Sequence, residues 1–167
     1  MNSNRRKPFT CASGRHTASV SELARREAGR ALAMLWFGRE LDRVGLFPSS
    51  RIPRRDAEPD ARFAGVILAP AEQDAVLHLA AFAAALRGRR VSRTAASRDP
   101  DLRRARAIRL PPGRTLAELD QLTRRHLAAH ADLLNALAAA LQARGTIDGT
   151  EVRRMVLRAQ LRRPPGR

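Results

Sequence analysis

Alanine is the residue type that most restricts what this chain can fold into. The 167 residues include 31 alanines, which leave 42 larger apolar side chains to build a core. Because alanine forms helices readily and lets them approach closely, this composition favours packed helices over a broad sheet. The length suits one domain. We therefore expect a mainly α (α+β) domain with a small β-hairpin or short sheet.

Three capping boxes mark helix starts, each a short oxygen-bearing residue followed three positions later by glutamate. The capping boxes are Ser19/Glu22, Thr115/Glu118 and Asp148/Glu151. Pro70 and the pair Asp99-Pro100 mark two further starts, because proline suits the first helical turn. The predicted helices run from Ser19 to near Gly38, from Pro70 to about Arg87, from Pro100 to about Arg109, from Thr115 to about Arg144 and from Asp148 to about Leu161.

Two short apolar segments, Val44–Phe47 and Phe63–Leu68, each precede a proline and predict strands. We expect them to pair, with residues 48–62 forming a hairpin loop or insertion that is rich in serine, proline, arginine and aspartate. The first 18 residues predict a disordered basic tail and residues 162–167 a frayed end. The domain itself is then expected at 19–161.

Arginine dominates the charge. The chain has 32 basic and 16 acidic residues, and Lys7 is the only lysine. The codon usage of a GC-rich genome is one explanation, and a polyanionic partner bound through phosphate or carboxylate groups is the other. Much of the excess lies in the segment Arg87–Arg109, which holds nine arginines and two aspartates. Arg89, Arg90 and Arg93 are the anion-binding candidates of this segment.

The first predicted helix contains the pattern Arg26-Glu27-Ala28-Gly29-Arg30. With histidine at both ends it would be H-E-x-x-H, which places two zinc ligands on one helix face and leaves the glutamate as general base. A guanidinium stays protonated and has no lone pair to offer a metal. Arg26 and Arg30 therefore cannot be metal ligands.

The residues around this pattern resemble the peptidase domain of FtsH-type zinc proteases over roughly residues 19–161. The matching segments are Glu27–Leu32, Asp42–Pro48, Gly65–Pro70, Leu79–Ala84, Asp101–Ala105, Leu133–Leu141 and Gly145–Val152. The resemblance is to small stand-alone relatives, because a chain whose only lysine is Lys7 has no Walker A motif. We therefore expect no dependence on ATP.

The resemblance implies a helical metallopeptidase-like domain in which Glu27 stands at the position of the general base and Asp101 at that of the third zinc ligand. Arg26 and Arg30 replace the two histidine ligands, and Ala85 replaces a glutamate of the family. We therefore expect no bound metal, with Glu27 as a relic base. We also expect the two arginines to pair with Asp101 and Glu27, so that an arginine-lined pocket for a carboxylate or phosphate replaces the metal site.

The leading functional interpretation is a catalytically inactive, peptidase-like protein that binds a peptide or protein segment, acidic in character. In the family the strand after the first helix lies along the substrate cleft, so Val44 and Leu46 are the candidates for peptide binding by strand addition. One alternative is an active metalloendopeptidase that is zinc-dependent and ATP-independent. A second alternative is a basic binder of nucleic acid or another polyanion.

Three other features bear on metal binding and location. His126 and His130 have the spacing of two zinc ligands, but we interpret them as partly exposed helix residues, and His78 as a core histidine. Cys11 is the only cysteine, which excludes an intramolecular disulfide and fits a reducing cytoplasm. The longest apolar run, Ala75–Leu86, is shorter than a bilayer requires. We therefore expect a cytoplasmic protein without a membrane partner.

Overall fold

The computed structural model of the chain describes residues 18–46, 61–88 and 92–161. Within these ranges the fold is mainly helical with two short antiparallel sheets, as predicted. The elements are α1 Val20–Trp36, β1 Arg43–Gly45, β2 Ala61–Phe63, β3 Val66–Leu68, α2 Pro70–Leu86, α3 Arg93–Ser97, α4 Pro100–Ala107, α5 Leu116–Ala129, α6 Ala131–Arg144, β4 Thr146–Asp148 and α7 Gly149–Leu161. Except for residue 18, the predicted terminal tails lie outside the described residues. Most of the predicted 48–62 loop also lies outside them.

All three predicted capping boxes mark helix starts. The Ser19 hydroxyl accepts the N–H of Glu22 at 3.2 Å, and Thr115 and Glu118 cap each other's backbone at 3.3 and 2.8 Å. At the third, Asp148 accepts the N–H of Thr150 at 2.8 Å and α7 begins at Gly149, but Glu151 pairs with Arg144 instead of completing the capping box. The other predicted helices, from Pro70 and Pro100, are confirmed.

The predicted helix from Thr115 to Arg144 is wrong in its continuity, because His130 separates α5 from α6 with φ −114° and ψ 29°. The ring nitrogen Nδ1 of His130 lies 2.9 Å from the carbonyl oxygen of His126. The backbone N–H of His130 also donates to this carbonyl, at 3.2 Å, so the ring and the backbone of His130 meet the same acceptor where α5 ends. The structure also adds α3, capped by Ser92, between the predicted helices that end at about Arg87 and begin at Pro100.

The strand pairing also differs from the prediction. Residues 63–68 do not form one strand but a hairpin, in which β2 pairs with β3 around a turn at Ala64 and Gly65. Strand β1 pairs instead with β4, in the register Arg43↔Asp148, Val44↔Ile147 and Gly45↔Thr146. The N–H of Gly149 donates to the carbonyl of Asp42 at 2.9 Å, which closes this small sheet. The partner of β1 is thus a segment about 100 residues away in the chain.

Helix α2 lies at the centre of the fold and contacts α1, α4 and α5, while α6 packs on α1. Gly29 allows α1 and α2 to approach closely, because a Cβ atom there would lie 2.5 Å from the carbonyl oxygen of Ala80. The alanines of both helices line this contact, and leucines of α5 and α6 close the core around it. Since α4 packs on the same central helix, it lies beside the α1 face that carries Arg26 and Arg30.

Candidate functional site

Arg26 joins α1 to the start of α4. Its guanidinium binds both carboxylate oxygens of Asp99, with Nη1 to Oδ1 at 3.1 Å and Nη2 to Oδ2 at 2.7 Å. The same Nη1 donates to Oδ2 of Asp101 at 2.5 Å. A planar guanidinium suits this geometry because its N–H groups form a rigid fork that matches a carboxylate. Arg26 is buried despite its charge, which is usual only for a charge that is paired.

Arg30 lies one helical turn further along α1. Its Nη1 donates to both oxygens of Glu27 at 2.7 and 2.9 Å, and its Nη2 donates to Oδ1 of Asp101 at 2.8 Å. The two arginines thus share Asp101, each taking one of its oxygens. The predicted pairing of Arg26 and Arg30 with Asp101 and Glu27 is confirmed.

Asp101 is the centre of the arrangement, which we call the arginine–carboxylate cluster and define as Arg26, Glu27, Arg30, Asp99 and Asp101. The side chain of Asp101 is 1% exposed. In addition to the two arginines it meets Nδ1 of His78 at 3.2 Å, and the more exposed Arg104 lies 3.7 Å away. Because Arg26 engages Oδ2 of Asp101 while Arg30 and His78 engage Oδ1, the charge is stabilised although water is excluded.

The side chain of Asp99 both caps α4 and binds Arg26. Its side chain caps α4, where Oδ1 accepts the N–H groups of Asp101 at 2.9 Å and Leu102 at 3.3 Å. The same carboxylate binds Arg26 through both oxygens. The cap therefore fixes the beginning of α4, and with it Asp101, against α1.

The two central carboxyls respond to their surroundings in opposite ways. Burial raises the pKa of Glu27 above its ordinary value, although the charge and hydrogen bonds of Arg30 act against this rise. Burial also opposes ionisation of Asp101, but the hydrogen bond to His78 and the charges of Arg30 and Arg26 outweigh it. These contacts hold the pKa of Asp101 well below its ordinary value. Asp101 is thus a fixed anion, whereas Glu27 takes up a proton more readily.

The residues at this position do not fit zinc. The two positions that resemble histidine ligands carry guanidiniums, which offer a metal no lone pair. All four Nη atoms of Arg26 and Arg30 donate to carboxylates of the chain, so these carboxylates are already neutralised. Among residues 18–46, 61–88 and 92–161, no three histidine, cysteine, aspartate or glutamate side chains are grouped to hold a metal ion.

The same contacts argue against the predicted open anion pocket at Arg26 and Arg30. An incoming carboxylate or phosphate would have to displace Glu27, Asp99 or Asp101. Of the other anion candidates, Arg89 and Arg90 lie outside the described residues, and for Arg93 only the backbone, in α3, is described. Sequence reasoning missed Asp99 as a partner of Arg26 and His78 as a partner of Asp101. The spacing Asp99-Pro100-Asp101 was the available signal, since it places two carboxylates in one helix start.

The peptide candidates Val44 and Leu46 lie in and next to β1. Val44 is 5% exposed and belongs to the core. The N–H of Leu46 donates to the carbonyl of Gly145, and the carbonyl of Asp42 accepts from Gly149, so alternate residues of β1 face β4. In an antiparallel ladder the residues between them direct N–H and C=O to the other edge. Gly45 is buried, so the outward groups open to a peptide belong to Arg43, not to Val44 and Leu46.

His126 and His130 belong to an aromatic cluster, not to a metal centre. The ring of His126 meets Trp36 edge-on with centroids 4.1 Å apart, and the two histidine rings are 4.4 Å apart. Phe63 of the hairpin completes the cluster at 4.7 Å from His126. Both histidines are partly buried, as we interpreted them from the sequence.

A scan of the chain against models of known protein families finds no match. A search of the curated proteins finds no match either. The resemblance to FtsH-type proteases therefore stays a prediction from the residues quoted above, and the geometry of the arginine–carboxylate cluster is what the structure adds to it.

Proposed function

We propose that this protein is a peptidase-like binding protein, which holds a peptide or protein segment without hydrolysing it. The observation that carries the proposal is the arginine–carboxylate cluster, in which Arg26 and Arg30 occupy positions that resemble zinc ligands and bind Asp101. A metal-assisted hydrolysis needs an ion that activates water and a base that accepts its proton. Here Glu27, the residue at the base position, accepts two hydrogen bonds from Arg30.

In this proposal the arginine–carboxylate cluster links the same elements as a metal ion would, but it does not activate water. A metal ion holds distant elements together by neutralising their carboxylates. The two guanidiniums do the same here, since they link Glu27 on α1 with Asp99 and Asp101 at the start of α4. The peptide surface beside α1 is then preserved while bond cleavage is lost.

The peptide would bind at the outer edge of β1. Strand addition needs unpaired N–H and C=O groups at a sheet edge, and those of the exposed Arg43 have no backbone partner among the described residues. The Arg43 side chain is exposed at this edge and favours an acidic residue in the peptide. No strand of the described ranges other than β4 pairs with β1.

Arg43→Pro tests this edge. Proline at position 43 removes the outward N–H, whereas the hydrogen bonds of β1 to β4 come from the neighbouring residues and remain. Arg43→Ala is the matched control, because it removes the charged side chain and keeps the N–H. On an array of random decapeptides we expect Arg43→Ala to keep binding extended sequences with a weaker preference for acidic residues than the wild-type protein, and Arg43→Pro to lose binding. Equal binding by all three proteins contradicts strand addition at this edge.

A second test concerns the metal. We expect the purified wild-type protein to carry no stoichiometric zinc and to leave dephosphorylated casein intact. The double variant R26H/R30H should gain zinc, because its new side chains join Asp101, and the triple variant R26H/R30H/D101N should not. Circular dichroism of all three proteins checks that they fold. Casein cleavage by the wild-type protein that a chelator stops would instead support the active zinc peptidase.

The proposed location is the cytoplasm, which the single cysteine at position 11 supports because disulfides are rare there. Across the described residues, the structure has no helix that combines the length and the apolar character needed to cross a bilayer. The proposal involves neither ATP nor a bound cofactor.

A further inference from the structure

The outward face of α4 carries arginines that form no ion pair with another described residue. Arg103 and Arg106 are exposed on the helix, and Arg109 is exposed just after its end. We call these three residues the α4 arginine cluster. Among the described residues none of the three forms an ion pair, whereas Arg39, Arg114, Arg124 and Arg144 each have a carboxylate partner.

The reason for this excess lies on the opposite face of the same helix. The segment around α4 has only two acidic residues, Asp99 and Asp101, and both point inward to Arg26. Their oxygens are engaged by Arg26, Arg30 and Arg104, so neither carboxylate pairs with Arg103, Arg106 or Arg109. Codon usage explains why a basic residue is arginine, but it does not explain a helix whose acidic and basic side chains are sorted to opposite faces.

The surroundings of the α4 arginine cluster favour a phosphate chain over a protein surface. Protein interfaces have an apolar centre, but the large apolar side chains that are exposed in the described ranges are Val20, Ile67 and Leu157, none of them on α3 or α4. Arg103 and Arg106 are at i and i+3 of α4, which places their Cβ atoms about 5–6 Å apart, so they reach neighbouring charges of a regular polyanion. Guanidiniums bind phosphate oxygens through two parallel hydrogen bonds.

A duplex fits better than a single strand. Proteins that bind single strands without sequence preference stack the bases on aromatic side chains. The aromatic residues of the described ranges, Trp36, Phe37, Phe63 and Phe82, are buried or half-buried. We propose that the α4 arginine cluster binds the phosphate backbone of double-stranded nucleic acid without reading its sequence. This binding is independent of the proposed peptide edge at β1.

The test compares two triple variants of the full chain that have equal net charge. R103Q/R106Q/R109Q removes the α4 arginine cluster, and R125Q/R153Q/R158Q removes three exposed arginines that also form no ion pair among the described residues. The probe is a fluorescein-labelled 20-base-pair DNA duplex, and its anisotropy is followed between 50 and 200 mM salt. We expect the first variant to lose at least tenfold in affinity and the slope of log K against log salt to fall by about 2.7. The second variant should stay within about threefold of the wild-type affinity.

Several results would overturn the inference. Equal losses in the two variants would assign the binding to net charge. The absence of duplex binding by the wild-type protein at 50 mM salt would exclude this partner. Tighter binding of a 20-nucleotide oligo-dT would point to a single strand, and displacement of the duplex by an equimolar poly-glutamate peptide would point to an acidic protein.

Discussion

Asp101 shows how a single buried carboxylate organises two elements. Its side chain is almost completely enclosed, and it accepts hydrogen bonds from Arg26 and Arg30 while His78 approaches the same oxygen as Arg30. A buried charge is tolerated only with such partners, because the protein interior screens it poorly. Removing its charge leaves Arg26 with Asp99 and Arg30 with Glu27, but takes away the counter-charge that the two guanidiniums share.

We therefore expect Asp101→Asn to destabilise the protein by about 3 kcal/mol, since it breaks two buried ion pairs and leaves the two guanidiniums under-compensated. The matched control is Glu151→Gln, which breaks the solvent-exposed pair with Arg144 and should cost far less. Urea unfolding followed by circular dichroism measures both. Equal losses in the two variants would show that burial adds nothing to the Asp101 ion pairs.

The opposite pKa shifts of Glu27 and Asp101 predict opposite effects of pH on the free energy of unfolding. A carboxyl whose pKa is raised on folding binds its proton more tightly in the folded state, so its contribution grows as pH falls through that pKa and is complete below about 4.3. Wild-type protein should therefore gain stability relative to Glu27→Gln between pH 7 and pH 4.5.

A carboxyl such as Asp101, whose pKa is lowered on folding, contributes fully to stability above about pH 3.9 and loses this contribution at lower pH. The advantage of the wild-type protein over Asp101→Asn should thus persist to about pH 4. Unfolding free energies at several pH values would contradict this if both differences changed in the same direction.

At the scale of the elements, local signals predict the helices and fail for the strands. Oxygen-bearing caps and prolines act within one turn, so the starts of α1, α4 and α5 follow from the sequence. The pairing of β1 with β4 does not, because strands of three residues carry little pattern and their partners are distant in the chain. The break between α5 and α6 at His130 could not be predicted, because no glycine or proline marks it in the sequence. The cluster was predicted in part, because the spacing of Arg26 and Arg30 is local, whereas the approach of Asp99 and His78 depends on tertiary packing.

Gly29 tests the close contact of α1 and α2. Alanine in place of glycine ordinarily stabilises a helix by about 1 kcal/mol. Here its Cβ would lie 2.5 Å from the Ala80 carbonyl oxygen and 2.6 Å from the Ala84 Cβ, so the helices must separate. We expect Gly29→Ala to cost about 2 kcal/mol and to weaken the arginine–carboxylate cluster with it. The reverse change Ala136→Gly, on the exposed face of α6, should lose about 1 kcal/mol through helix propensity alone. Thermal melting compares them, and a stabilised Gly29→Ala would exclude the tight contact.

The arginines behind the net charge of +16 fall into two groups that respond differently to salt. Some arginines are enclosed with carboxylates, as in the arginine–carboxylate cluster, and salt screens such pairs weakly. Others are exposed and repel one another over distances that salt does screen, since the Debye length falls from about 30 Å at 0.01 M to about 8 Å at 0.15 M. Repulsion of this kind destabilises a compact state.

Adding salt should therefore stabilise this protein, which is the reverse of what a fold held by surface ion pairs would show. We expect the free energy of unfolding to rise between about 10 and 150 mM sodium chloride, because screening relieves the exposed arginines more than it weakens the buried cluster. The variant R103Q/R106Q/R109Q should be more stable than the wild-type protein at low salt and gain less from added salt. Urea titrations of both proteins at the two salt concentrations measure these differences. A decrease in stability with salt would mean that exposed ion pairs, not the arginine–carboxylate cluster, dominate the electrostatics of the fold.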